Sequence, residues 1–391
     1  MGLSLVVGPA HVGKVALLLE RYLAVLEHDP WLVVPNRVDV DRVERDLIGR
    51  RPALLAGTVG TFDDLFRHVA GAGGNDVPVA SEIQRTLAVR RAVERVQLGE
   101  LSSSATTAGF ADTLLQTIGE LESGLVDPGR LDGDLAALAL AYRDELDLLG
   151  LQDRDGLRRR AVERLRGDLG AWSGEPVFAY GFEDLTGAEW ALLEALSARV
   201  DVTLSLPYEP GRAAFEALER TVDDLAELAQ GAIEELPRAS SSSRPAALAH
   251  LERELFSDEP EQGPPLDGAI RFLEGAGARG TVELLASELA SLLRGGMAPE
   301  RVAVVCESVD RWRAPLETAL PQLGVPYSIE HGRRLVDAPL GHALASVLRY
   351  AWLGGGRGDL FTFLRSPFSG LERRSVDFVE GRLRGRAVAD P

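Results

Sequence analysis

The chain has 391 residues, 42 Lys+Arg against 60 Asp+Glu for a formal net charge of −18, and 45% hydrophobic residues. This predicts two or three globular domains, each able to bury a core, and excludes a single small module. One cysteine, Cys306, excludes an internal disulfide, a Cys-based zinc site and an iron–sulfur cluster held by this chain alone.

No apolar run approaches the roughly 18 residues that cross a bilayer, and Leu3 to Val7 is too short for a signal peptide, so a cytoplasmic protein without membrane contact is expected. The acidic balance argues against wholesale electrostatic binding to nucleic acid, while leaving local Arg clusters able to hold phosphates.

In chain order, Leu3 to Val7 reads as a short buried strand and Val15 to Leu26 has helical apolar spacing. Between them stands Gly8-Pro9-Ala10-His11-Val12-Gly13-Lys14-Val15, a GxxxxGK loop in the strand–loop–helix setting of a P-loop. Lys14 is the only lysine in the chain, every other residue of the Lys+Arg count being arginine, and its place in this loop favours phosphate binding over a vestigial turn. In such loops backbone N–H groups cradle phosphates, the Lys neutralises them and a following Ser or Thr holds Mg²⁺. Here the hydroxyl position is Val15. Gly8, Gly13, Lys14 and Val15 are therefore the candidate cofactor site, for ATP held weakly or without hydrolysis, with the need for Mg²⁺ open.

Trp31 to Val34 predicts a second strand ended by Pro35-Asn36, then a helix using Val38, Val40, Val43 and Leu47; Thr58 to Phe62 predicts a third, leading into a helix over Asp63 to Ala70. Ser81 to Leu165 is helical nearly throughout, with Ser81 and Gln84 fitting a capping box. Strands return at Pro176 to Tyr180 and Val200 to Leu206, around a helix that Thr186 and Glu189 cap. The alternation implies a parallel sheet. Pro237 to Pro265, with Ser240 to Ser243, predicts an exposed connection with a short helix at Ala246 to Leu255. Beyond it, strands are expected at Ala269 to Glu274, Val302 to Cys306 and Val325 to Glu330, helices at Val282 to Leu293 and Trp312 to Leu323, and only helices from Pro339 onward.

An ATPase also needs a strand ending in carboxylates. In Val177-Phe178-Ala179-Tyr180-Gly181-Phe182-Glu183-Asp184, Tyr180 and Gly181 stand in those places; Glu183 and Asp184 follow, equally readable as a polar approach to a capped helix. No catalytic or metal-ligating residue is assigned.

Gly8 to Lys14, Val33-Val34-Pro35-Asn36-Arg37, Gly60-Thr61-Phe62, Tyr180-Gly181-Phe182 with Leu185-Thr186 and Glu189, and Val302-Ala303-Val304-Val305 follow the motif order of superfamily 1 helicases. The sequence most resembles the N-terminal, degenerate helicase-like half of AddB, the deoxyribonuclease subunit of the AddAB helicase–nuclease; Leu204 to Pro207, Arg279 with Glu283, Gly324-Val325-Pro326-Tyr327 and Pro339-Leu340 add to the likeness. The resemblance implies a non-motor role in recombinational repair of DNA ends, with single-stranded DNA and an AddA-like motor subunit as partners. Carried over by position, Lys14 would meet phosphates, while Asn36, Arg37, Thr61 and Phe62 would line the single-strand path. Phe62 reads equally well as a core aromatic.

The fold class this implies is α/β. A RecA-like P-loop domain spans 1–80 plus 166–236 with a helical insertion at 81–165, and a linker covers 237–265. A partial second RecA-like domain spans 266–338, and a helical segment 339–391. Cys306-Glu307 replaces an expected arginine, and the family's later motifs and nuclease are absent, so the chain reads as a piece of a longer protein whose own enzymatic activity is doubtful. The Arg158-Arg159-Arg160 run and Arg373, Arg374, Arg382, Arg384 and Arg386 read better as solvated helix faces than as DNA contacts. The rival functions are an active P-loop ATPase using Glu183 or Asp184, and a scaffold whose insertion docks a motor subunit.

Overall fold

Leu3, Leu5 and Val7 share one buried face with Trp31, Val33, Val177, Ala179, Val202, Leu204 and Leu206, whereas Val6 points the other way with Leu32, Val34, Phe178 and Tyr180. Apolar residues on both faces of successive strands are what a parallel sheet sandwiched between helices requires. The structure, a computed structural model, describes residues 2–51, 53–71, 77–107, 109–238, 245–257, 259–329 and 335–383. Ser240 to Ser243, Glu330, Arg384 and Arg386 lie outside the described residues. The chain divides into two units, Met1–Ile270 and Arg271–Pro391.

The first unit runs β1 (Gly2–Gly8), α1 (Lys14–Ala24), β2 (Trp31–Val33), α2 (Arg37–Arg50), β3 (Thr58–Gly60), α3 (Phe62–Gly71), α4 (Glu82–Arg95), α5 (Phe110–Ser123), α6 (Gly133–Leu148) and α7 (Arg154–Gly167). It continues through β4 (Val177–Tyr180), α8 (Gly187–Ser197), β5 (Asp201–Pro207), α9 (Glu216–Leu228), β6 (Ile233–Glu235) and α10 (Ala246–Glu254). The strands form one sheet in the order β3-β2-β4-β5-β1-β6, each pairing parallel. Leu18, Leu19 and Tyr22 of α1 with Val40, Val43 and Leu47 of α2 cover one face; α3, α7, α8 and α9 cover the other. The α/β reading of this unit is borne out.

Helices α4, α5 and α6 enclose a separate core of Val89, Leu114, Ile118, Leu138, Tyr142 and Leu146. The Ser81–Gln84 and Thr186–Glu189 capping boxes are both formed, each satisfying orphan amides at a helix start. Helix α7 ties the helical layer to the sheet. Its Leu157, Ala161 and Leu165 enter the sheet core, while Arg158 bonds Asp63 of α3 (2.8 Å) and Asp155 (3.1 Å), and Arg159 bonds the buried Glu122 of α5 (2.8 Å).

Three features differ from expectation. β3 stops at Gly60, because Thr61 caps α3 and Phe62 already belongs to it. β6 was not expected: Ile233 is exposed ahead of Glu234 and Glu235, so this edge strand carries no apolar alternation and is held by its backbone bonds to β1. The second unit has no strand among its described residues.

That second unit comprises α11 (Gly277–Arg294), α12 (Val309–Gln322), α13 (Pro339–Trp352), α14 (Arg357–Leu364) and α15 (Arg373–Leu383). Helices α11 and α12 pack through Val282, Ala286, Leu289, Ala290, Ala319 and Leu320, with Val325 beside them. The segments expected as strands at Ala269 to Glu274, Val302 to Cys306 and, over its described residues, Val325 to Ile329 lack regular structure, and Phe272 and Val305 are exposed. A short apolar run makes a strand only when neighbours complete its hydrogen-bond ladder, and no such ladder forms here. Among the described residues no helix is long and apolar enough to cross a membrane.

Candidate phosphate site at the carboxyl edge of the sheet

Because the strands run parallel, the loops that follow them gather along one edge, where open α/β sheets bind ligands. The glycine loop leaves β1 at the sheet's interior. Gly8 has φ 151°, and a Cβ there would lie 2.7 Å from the Leu236 carbonyl oxygen, so no side chain fits without displacing β6. Gly13 (φ 92°) ends the loop in the left-handed region and stands at the N-cap of α1, which has neither a side-chain cap nor an acid in its first turn. Its first amides are thus left for an anion. The Lys14 ammonium folds back onto the loop, donating to the Gly8 carbonyl (2.7 Å) and to that of Pro9. Burial lowers the lysine's pKa, while the nearby Glu209 carboxylate opposes that shift.

These residues fit a phosphate: free amides, a flexible cation and a backbone that only glycine allows. They do not fit a hydrolytic Mg²⁺. Val15 offers methyl groups where an oxygen ligand is needed. At the end of β4, Tyr180 is buried with its phenol bonded to Arg42, burial raising its pKa, and Gly181 turns the chain against Pro35. Glu183 and Asp184 are exposed, and Asp184 accepts the Leu185 amide (2.8 Å). Among the described residues no three His, Cys, Asp or Glu side chains gather to hold a metal.

The other predicted residues follow β2 and β3. Adjacent strands lie about 4.8 Å apart, so β2, three places from β1, sits roughly 14 Å along the edge. Asn36 caps α2, its Oδ1 accepting the Asp39 amide (3.0 Å) and its Nδ2 donating to Asp39 Oδ2 (2.8 Å); Arg37 beside it is exposed. Thr61 donates through its amide (3.0 Å) and hydroxyl (2.9 Å) to Asp64, which also takes Arg67 (2.9 Å). Burial would push the Asp64 carboxyl up, but these bonds outweigh it and hold it below the usual carboxylate range.

Phe62 corrects the expectation placed on it. It is 3% exposed, with its ring 4.8 Å from that of Phe182, so it is a core aromatic and offers no face to a base. The Arg158 run is likewise not a solvated face, since Arg158 and Arg159 are consumed by the internal carboxylates Asp63, Asp155 and Glu122.

Sequence reasoning missed a charged group beside the glycine loop. Glu209, two residues past β5, pairs with Arg212 (2.8 Å) and with Arg238, three residues past β6. Arg212 also donates to the Glu252 and Leu255 carbonyls at the end of α10, and His11 Nδ1 lies 3.8 Å from Glu252 Oε1. Only the unexpected strand β6 brings Arg238 here; Pro207-Tyr208-Glu209 at a strand end was the sole readable signal.

No family model matches the sequence. The chain is 28% identical to the ATP-dependent helicase/deoxyribonuclease B subunit of Desulforudis audaxviator (strain MP104C), an alignment covering 100% of this chain and 38% of that protein. It is 28% identical to the protein of the same name from Moorella thermoacetica, with the same coverage, and 24% identical to that of Desulfitobacterium hafniense (strain Y51), over 97% of this chain and 35% of that one. The chain thus spans little more than a third of the length of these relatives. The likeness to AddB read from motif order is borne out along the whole chain.

Proposed function

From this kinship with helicase/deoxyribonuclease B subunits, we propose that the chain is the helicase-like, non-motor part of a subunit that acts on DNA ends in recombinational double-strand-break repair. It holds single-stranded DNA along the carboxyl edge of the sheet and a nucleotide at the glycine loop, beside an AddA-like motor subunit. The observation that carries this reading is the pairing of a kept phosphate cradle, Gly8, Gly13 and Lys14, with the loss of both magnesium contacts at Val15 and Tyr180-Gly181. A loop that holds phosphate without placing a metal and water retains binding and forfeits hydrolysis. The same loss weighs against an active ATPase.

Exposed Arg37, with the Asn36 and Thr61 caps beside it, supports a backbone path for single-stranded DNA, since phosphate contacts come from arginine, small polar side chains and helix starts. Phe62 has no part in it. The test is single-strand binding across a salt series. Affinity should fall with salt, and Arg37→Ala should flatten the log–log slope by about 0.7, one phosphate contact. Absence of binding even at low salt overturns the DNA reading.

A further inference from the structure

β1 lies between β5 and β6, with Gly8 in register with Pro207 of β5, and the Leu236 amide bonds the Val7 carbonyl (2.8 Å). Glu209 and Arg238 therefore leave the sheet on opposite sides of the strand that feeds the glycine loop, yet their side chains meet in an ion pair. Strands β5 and β6 are about 9.6 Å apart, so this pair arches over the end of β1 where the loop begins. Lys14 lies within the field of the same carboxylate. Arg212 is committed elsewhere, to Glu209 and to the carbonyls ending α10. Arg238 has Glu209 as its one side-chain partner among the described residues and remains partly exposed.

We propose that Arg238 is a phosphate-binding residue of the glycine loop and that Glu209 is its built-in counter-ion, so that a nucleoside triphosphate displaces the carboxylate and is held by Lys14 and Arg238 without a divalent cation. This rests on the nucleotide reading above and specifies its chemistry. A carboxylate is an anion shared between the same cations that a polyphosphate would use, and an arginine fork matches phosphate oxygens. The second cation takes the electrostatic place of the metal that Val15 and Tyr180-Gly181 cannot hold. Release of Glu209 costs little backbone rearrangement, because Arg212 keeps the segment after β5 tied to α10.

The experiment is equilibrium binding of a fluorescent ATP analogue to the full 391-residue chain, in EDTA and in Mg²⁺, for the unaltered protein and for Lys14→Ala, Arg238→Gln and Glu209→Gln. Binding should be equal in both buffers and lost in Lys14→Ala. Arg238→Gln should weaken it about tenfold and Glu209→Gln should tighten it several-fold, as removal of a nearby charge of either sign demands. A tightened variant cannot be an unfolded one, which guards against a folding artefact. Binding lost in Lys14→Ala but unchanged in Arg238→Gln and Glu209→Gln overturns the proposal and leaves the nucleotide reading standing. A strict Mg²⁺ requirement also overturns it. Failure of the unaltered protein to bind overturns both.

Discussion

Leu5-Val6-Val7 in the first unit and Val302-Ala303-Val304-Val305 in the second are nearly the same kind of apolar run, yet Leu5 and Val6 are fully buried and Val305 is 93% exposed. The difference lies in their neighbours. β1 has β5 on one side, β6 on the other and helices on both faces, so each alternate side chain meets a core and each amide a carbonyl. Val302 to Val305 has no strand beside it among the described residues; Val302 leans on the helix pair, while Val304 and Val305 stay exposed. Burial is thus a property of the pairing, with the run supplying only the opportunity.

The largest expected contrast is in these two runs. Leu5→Ala, at a site closed on all sides, should destabilise the first unit by about 3–4 kcal/mol in chemical denaturation, whereas Val305→Ala should stay within about 0.5 kcal/mol. Equal effects would show that the second unit buries its run in solution.

Charges extend the same contrast. Glu122 is buried between Arg143 and Arg159, so Glu122→Ala should cost about 2–3 kcal/mol, reduced from the fully buried case because both arginines still reach water. Arg279 and Glu283 form an exposed pair in the second unit, and Arg279→Ala should leave stability unchanged. A loss on Arg279→Ala comparable with that of Glu122→Ala would break the comparison.

The smallest effect is acid sensitivity. Asp64 is held below the ordinary aspartate value of 3.8, so its contribution is present above that value and is lost as pH falls through the lower folded-state pKa. A stability–pH profile should therefore lose part of its acid limb in Asp64→Asn, a change confined to the first unit. An unchanged limb would mean that Thr61 and Arg67 do not hold the ionised form.

Much of the site was legible because its conformational demands are local. A lone lysine after Gly-x-x-x-x-Gly, and Ser81 and Thr186 each three residues ahead of Gln84 and Glu189, specify a loop and two caps through bonds within a few residues. The rest required distant partners. Phe62 was ambiguous until Phe182 closed over it, and the Arg158 run read as surface until Asp63 and Glu122 arrived from other helices.

By itself the sequence determined the short apolar strands of the first unit, the glycine loop and its missing metal ligands, since backbone sterics, helix-end chemistry and side-chain identity act over a few residues. Only the tertiary structure decided that β6 would pair with β1 without apolar alternation, that the second unit's runs would stay unpaired, and that Glu209 and Arg238 would meet across the loop. Those outcomes depend on which strand lies beside which, and ladder bonds and ion pairs formed across dozens of residues leave no local pattern to read.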